Sequence, residues 1–302
     1  MDRLTHVLAV GWNMTTGADA GSGSDAADAE VDSILGQRRQ RARRRFFQAV
    51  LEDDDRGVLE GIAAGASLNQ VNTDGETPIL VASRLGHERI VRILLDAGAN
   101  ADTRKAPLFA TALYWAVVQG HTAIALLLIE RGANVSIMTA ERDSPLLAAT
   151  RHNHTDIALA LLQAGARLNS VDRFGDTPLW NAIGRGNRAV VRALLRAGAD
   201  ANLAHEDDGR TPLLAAVDGG QRKIVKLLLN AGADPNRADE EGTTPLMVVE
   251  NAEMAQALLA RGAQRGARNR AGRTALDIAR QKGRGEIVRL LEEAARGEAA
   301  GS

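Results

Sequence analysis

The side chains of this 302-residue chain best suited to acid–base or metal chemistry are its six histidines. His87, His121 and His154 each stand ten residues after a regularly placed hydroxyl residue, Thr77, Thr111 or Ser144. His152 and His154 form an H-x-H pair, but no third ligand lies near them in sequence, and a zinc site needs three or four. Cysteine is absent, which excludes a thiolate nucleophile, a disulfide frame and a Cys-based zinc site. No serine sits in a nucleophile-elbow pattern, and no glycine-rich phosphate loop follows a strand. The many carboxylates fall on turns and polar helix faces, where nothing would raise a pKa toward that of a general acid. These residue types in these places predict no catalytic residue, no cofactor and no metal.

The elements that carry them are short and repeated. From Thr177 to Asn202 the chain reads TPLWNAIGRGNRAVVRALLRAGADAN. Thr177 suits a helix cap and Pro178 the first helical position, while Gly186-Asn187 breaks the chain. Ala189, Val190, Ala193 and Leu194 recur at helical spacing, and Gly198 supplies the left-handed stop. Two helices this short cannot bury their faces alone, and they have copies. The anchor recurs at Thr77, Thr111, Ser144, Thr177, Thr211, Thr244 and Thr274, with steps of 34, 33, 33, 34, 33 and 30 residues. The closing Gly-Ala recurs at Gly65, Gly98, Gly132, Gly165, Gly198, Gly232 and Gly262.

A period of 33 with a T-P-L-x-x-A core resembles the ankyrin repeat family, from about residue 44 to 294. The resemblance implies an all-α fold: an α-solenoid of helix-turn-helix units joined by short β-hairpin-like fingers. Eight units are expected, at about 44–76, 77–110, 111–143, 144–176, 177–210, 211–243, 244–273 and 274–294. The first lacks T-P-L and reads as a cap, as does the charged end of the eighth. The seventh is three residues short and has lost the usual turn around Glu250 to Ala252. Residues 1–43 read as a low-complexity tail, disordered to about residue 30, with the Arg-rich run from Arg38 to Arg45 read as the solvated face of a helix leading into the first repeat, and 295–302 as a frayed end. The family also gives the turn histidines a structural place, bonding backbone across the turn.

Apolar residues make up 45% and aromatics only 3%, which suits small close-packed helices better than a deep pocket. A formal net charge of −1 disfavours bulk attraction to nucleic acid or acidic membranes. The most apolar run, Ala123 to Ile129, is far too short for a membrane span. The opening MDRLTHVLAVGW is a poor export signal, so a cytoplasmic, monomeric protein is expected. Repeats occupy about 250 residues and leave no room for an appended catalytic domain, so no enzyme is expected.

Ankyrin-like arrays present a concave face of finger tips and first helices, and the resemblance places a protein partner there. Exposed positions on that pattern collect Phe109, Tyr114, Trp115, Phe174 and Trp180, with Arg151, His152 and Arg185 on the same units. Tyr114, Trp115 and Trp180 could equally fill gaps between helices. The finger KAPLFA, Lys105 to Ala110, departs from the others: Phe109 stands where most units carry glycine, as does Arg142 one unit on. Fingers near Glu206 to Asp208 and Asp239 to Glu241 are acidic, and that with Arg265, Arg268, Arg270 and Arg273 is basic. The expected function is a non-catalytic protein–protein interaction module; the partner's identity is not legible. The alternative is a nucleic-acid or acidic-surface binder acting through Arg38–Arg45.

Overall fold

Two-turn helices are marginal in water and gain their stability from tertiary packing. The computed structural model describes residues 22–299, with side chains from 33 to 294. Sixteen helices follow one another there: α1 (Ser22–Leu51), α2 (Asp55–Ala63), α3 (Pro78–Leu85), α4 (Glu88–Asp96), α5 (Ala112–Val118), α6 (Thr122–Glu130), α7 (Pro145–Arg151), α8 (Thr155–Gln163), α9 (Pro178–Gly184), α10 (Arg188–Ala197), α11 (Pro212–Asp218), α12 (Arg222–Asn230), α13 (Pro245–Val248), α14 (Ala252–Leu259), α15 (Ala275–Gln281) and α16 (Gly285–Ala299). Odd-numbered helices stack on odd, even on even, and each odd helix packs on the even one that follows it. The result is a two-layer all-α solenoid. Its core is the seam between layers.

The fifth unit shows why the sequence folds this way. Thr177 Oγ1 accepts a hydrogen bond from the Trp180 N–H at 3.0 Å, which caps α9. Gly198 ends α10 at φ 96°, a conformation costly for any residue with a Cβ. Leu179, Ala182, Ile183, Val190, Val191 and Leu194 are all at most 2% exposed. Each large aliphatic side chain buried this way is worth about 1.5–3 kcal/mol. Thr111, Ser144, Thr211 and Thr274 cap in the same manner, whereas the side chains of Thr77 and Thr244 do not.

The structure differs from the sequence expectation in four places. Residues 22–43 are not a disordered tail: they are the leading part of α1, and the helix expected for the Arg-rich run extends back to Ser22. Residues 33–45 are exposed throughout, and packing begins at Phe46, Phe47 and Val50. Residues 1–21 lie outside the described part. At the other end, α16 continues past 294 to Ala299. The fingers are hairpin-like, closed by backbone bonds such as Asp172 N–H to the Asp176 carbonyl at 3.1 Å, but among the described residues only Lys105 and Ala110 form a β-bridge. Most fingers instead fold around one polar side chain: the Asp172 carboxylate accepts the N–H groups of Phe174 and Asp176, and Asp239 and Asn269 repeat the arrangement.

The fourth difference concerns the turn side chains, which bond not within their own turn but to the preceding unit. A ring nitrogen of His87 lies 2.9 Å from the Val50 carbonyl oxygen, and one of His121 lies 3.2 Å from that of Arg84. Gln221, at the same place in its unit, donates to the Ile183 carbonyl at 2.8 Å. The Val50 and Arg84 carbonyls lie at helix ends where intrahelical partners run out, so the following unit satisfies them, while the Ile183 carbonyl also accepts the Gly186 N–H at 2.8 Å. Unit seven, whose α13 has only four residues, receives an arginine instead. Arg284 donates to the Val249 carbonyl at 2.7 Å and also binds the Glu250 carboxylate.

Candidate functional site

The fingers and the first helices α5, α7 and α9 bring the sequence-predicted residues into one region, but not all of them reach its surface. Phe174 does: it is 54% exposed at its finger tip, one ring face covered by the Arg173 guanidinium at 4.7 Å. Phe109 does too, at 43%, with Arg104 at 5.2 Å from its ring centre. Both tips therefore present the same device, a phenyl ring backed by an arginine. Phe109 and Arg142 hold φ of 56° and 60°, the left-handed region that glycine occupies in sister fingers. A β-substituted residue there costs about 1–2 kcal/mol, and such strain collects at functional positions.

Tyr114 is corrected. It is 8% exposed, and its hydroxyl donates to Asp143 Oδ2 at 3.0 Å. Burial first, then the Asp143 carboxylate, push its phenol well above the ordinary range. Trp115 is half-buried against the core, edge-on to Tyr114. Trp180 is also half-buried, its ring 5.0 Å from that of His205 on the next finger.

Arg151 is likewise less free than its helix position suggested. It reaches Asp143 Oδ2 at 2.6 Å and Asp172 Oδ2 at 2.7 Å, joining two fingers. Asp143 and Asp172 are 4% and 1% exposed, and carboxylates buried this deeply are costly to the fold unless paired and hydrogen-bonded. Burial alone would lower the Arg151 pKa, but the hydrogen bonds and charge of Asp143 and Asp172 more than offset it, and the guanidinium is held charged. Arg185 is exposed, and its Nε donates to the Arg151 carbonyl at 2.9 Å. His152 is exposed and stacks on His154 at 5.9 Å. Burial, then the neighbouring His152, lower the His154 pKa. Among the described residues no group of three or more His, Asp or Glu is placed to hold a metal ion.

Sequence reasoning missed the polar side chains that sort these units. Glu76 meets Arg84 at 3.2 Å and Lys105 at 3.1 Å, and Asp143 meets Arg151 in the same register one unit pair later. The signal was present as a charge just before the anchor and its opposite eight residues on. It is drowned by the many other charges of the chain.

A frame of stacked helix pairs with a 33-residue period, capped by Thr and closed by Gly-Ala, is one that known proteins share. A family profile described as ankyrin repeats (3 copies) matches residues 46–139, 106–172 and 146–239. The chain belongs to the ankyrin repeat family. An ankyrin repeat domain from Acinetobacter baumannii, solved by crystallography, superposes with a TM-score of 0.58 at 30% identity, covering 62% of this chain and 97% of that one. The ankyrin repeat and KH domain-containing protein mask-1 of Caenorhabditis elegans is 36% identical over 92 residues, 30% of this chain. Palmitoyltransferase Hip14 of Drosophila melanogaster is 34% identical over 84 residues, 28% of this chain. Human neurogenic locus notch homolog protein 1 is 29% identical over 126 residues, 41% of this chain. The matched stretches span only 4%, 13% and 5% of these three relatives' own lengths. Ankyrin repeats are generally protein–protein interaction modules. No helix among the described residues is long and apolar enough to cross a membrane.

Proposed function

We propose that this protein is a non-catalytic binding module that presents fingers and first helices of units three to five to a protein partner. The carrying observation is Phe174, more than half exposed at a finger tip that no neighbouring finger covers. An exposed aromatic beside arginine is the composition of interface hot spots. Phe109, with Arg104 over its ring, repeats the arrangement on the finger that enters unit three. Trp180 and Arg185 border Phe174 from α9, and Trp115 and His152 extend the patch toward α5 and α7. The Arg151 bridge holds two of the fingers rigid, which reduces the ordering cost of binding. Chemistry has no part in this reading, in which the protein meets its partner as a monomer in the cytoplasm.

The test measures affinity and stability together on Phe174→Ala, using a partner captured by the wild type, with Glu240→Ala on a distant finger as control. Binding should weaken by about 1–3 kcal/mol with the melting temperature unchanged. Unchanged affinity with a lowered melting temperature would make Phe174 a packing residue and remove the interface. A second reading rests on the six exposed arginines between Arg38 and Arg45 of α1. Binding to phosphate through them would fall steeply between low and moderate salt, whereas the aromatic patch would respond weakly.

A further inference from the structure

The residue just before the anchor and the one eight positions later form a pair that most units repeat. Glu76 and Arg84 meet at 3.2 Å, Asp143 and Arg151 at 2.6 Å, Arg210 and Asp218 at 2.7 Å, and Arg273 and Gln281 at 2.8 Å. Unit three has no polar member, only Ala110 and Val118. Unit five has half a pair. Asp176 is there, but eight residues on stands Gly184, with no side chain to answer it. A Cβ built on Gly184 would meet nothing within 4 Å, and its φ is ordinary, so neither crowding nor backbone geometry demands glycine.

We infer that the vacancy at Gly184 receives an arginine or lysine side chain of the protein partner, which pairs with Asp176 beside the Trp180 and His205 rings. This rests on the binding surface proposed above and names what its centre recognises. Trp180 and Gly184 lie four residues apart on α9, so they share one helix face. His205 Nε2 lies 3.6 Å from Asp176 Oδ1, and the His205 ring lies against Trp180. A cation seated there would have a carboxylate at its head and an aromatic wall at its side. Arg151 cannot fill the role, being held by Asp143 and Asp172. The adjoining finger adds Glu206 and Asp207, whose carboxylates make no ion pair among the described residues, and a cationic partner would approach along them. Burial, followed by the Asp172 charge, raises the Asp176 pKa, as expected of a carboxylate short of a cation.

The test selects binders from a random peptide library displayed on phage, then measures one selected peptide against variants. Asp176→Asn and Gly184→Arg, the latter supplying the missing guanidinium from within, should each weaken it about tenfold or more. Gly184→Ala should bind as the wild type does, and alanine in place of the peptide's cation should cause the same loss. That peptide substitution should cost nothing further on Asp176→Asn, because the two groups answer each other. Selected peptides without a cation, or Asp176→Asn and Gly184→Arg binding normally while Phe174→Ala does not, would overturn this inference and leave the surface standing. Peptides indifferent to Phe174, Trp180 and Asp176 alike, or no binders at all, would remove both. Self-association abolished by Asp176→Asn would assign the vacancy to the Arg38–Arg45 run of a second copy, and overturn a foreign partner.

Discussion

Phe109 and Arg142 occupy the same place in successive fingers and share the same unfavourable backbone, yet only one of them carries an aromatic ring to the surface. Replacing either by glycine should relieve that backbone and stabilise the fold by about 1 kcal/mol, read as a higher denaturant midpoint. Phe109→Gly should weaken partner binding while Arg142→Gly leaves it alone; equal binding by both would take Phe109 out of the interface. Asp176 gives a pH-dependent expectation. Its folded pKa is raised by burial and Asp172, despite opposition from His205 and Arg151, so the native state holds its proton more tightly than the unfolded chain. The penalty is absent below the ordinary carboxylate range and fully present once the pH exceeds the raised value. Asp176→Asn should therefore raise the melting temperature at neutral pH and not in acid, and a constant difference across that range would contradict the assignment.

At the scale of elements, helix pairs and glycine stops were legible because hydroxyl anchors, Gly-Ala closures and 3.6-residue apolar spacing recur together through the inner copies. Polar links between units were not. A one-dimensional pattern shows His87 and His121 in a turn but not that their rings face carbonyls 37 residues back. Tyr114 was misplaced for a related reason: the chain names a phenol at a surface position, and only packing brings Asp143 over it. The start of α1, before about residue 30, was not legible because its Gly, Ala, Ser and Asp composition offers little apolar surface, whereas the Arg-rich run already read as a helix face. Unit seven is the element most exposed to failure, since α13 is one turn long and Thr244 leaves its hydroxyl without a partner. Arg284 holds the frayed end. Arg284→Ala should cost about 1–3 kcal/mol, and hydrogen exchange across 244–273 should accelerate more than in units four and five. Even protection in the variant would show that the clamp carries no load.

Across the whole molecule, stability comes from contacts between neighbours, so the array should tolerate loss of an inner unit better than loss of an end. Removing 177–210 should leave a shorter, soluble, cooperatively melting solenoid that keeps Phe174 and Asp176 but has lost Trp180, Gly184 and His205, and its hold on the partner should weaken. Removing 274–302 should uncover the apolar flank of unit seven, including Leu246, Met247 and Leu258, and cause aggregation. Among the described residues no group of His, Asp or Glu is placed to hold a metal ion, and no helix is long and apolar enough to cross a membrane. The proposed binding face is centred on the fingers and first helices of units three to five. Hydrogen exchange of the protein with and without its bound partner tests this most directly. Protection should gather on residues 105–110, 139–144 and 172–185, with the even-numbered helices and α1 unchanged; protection on Arg38–Arg45 or on the even-numbered layer, with the fingers unaltered, would contradict it.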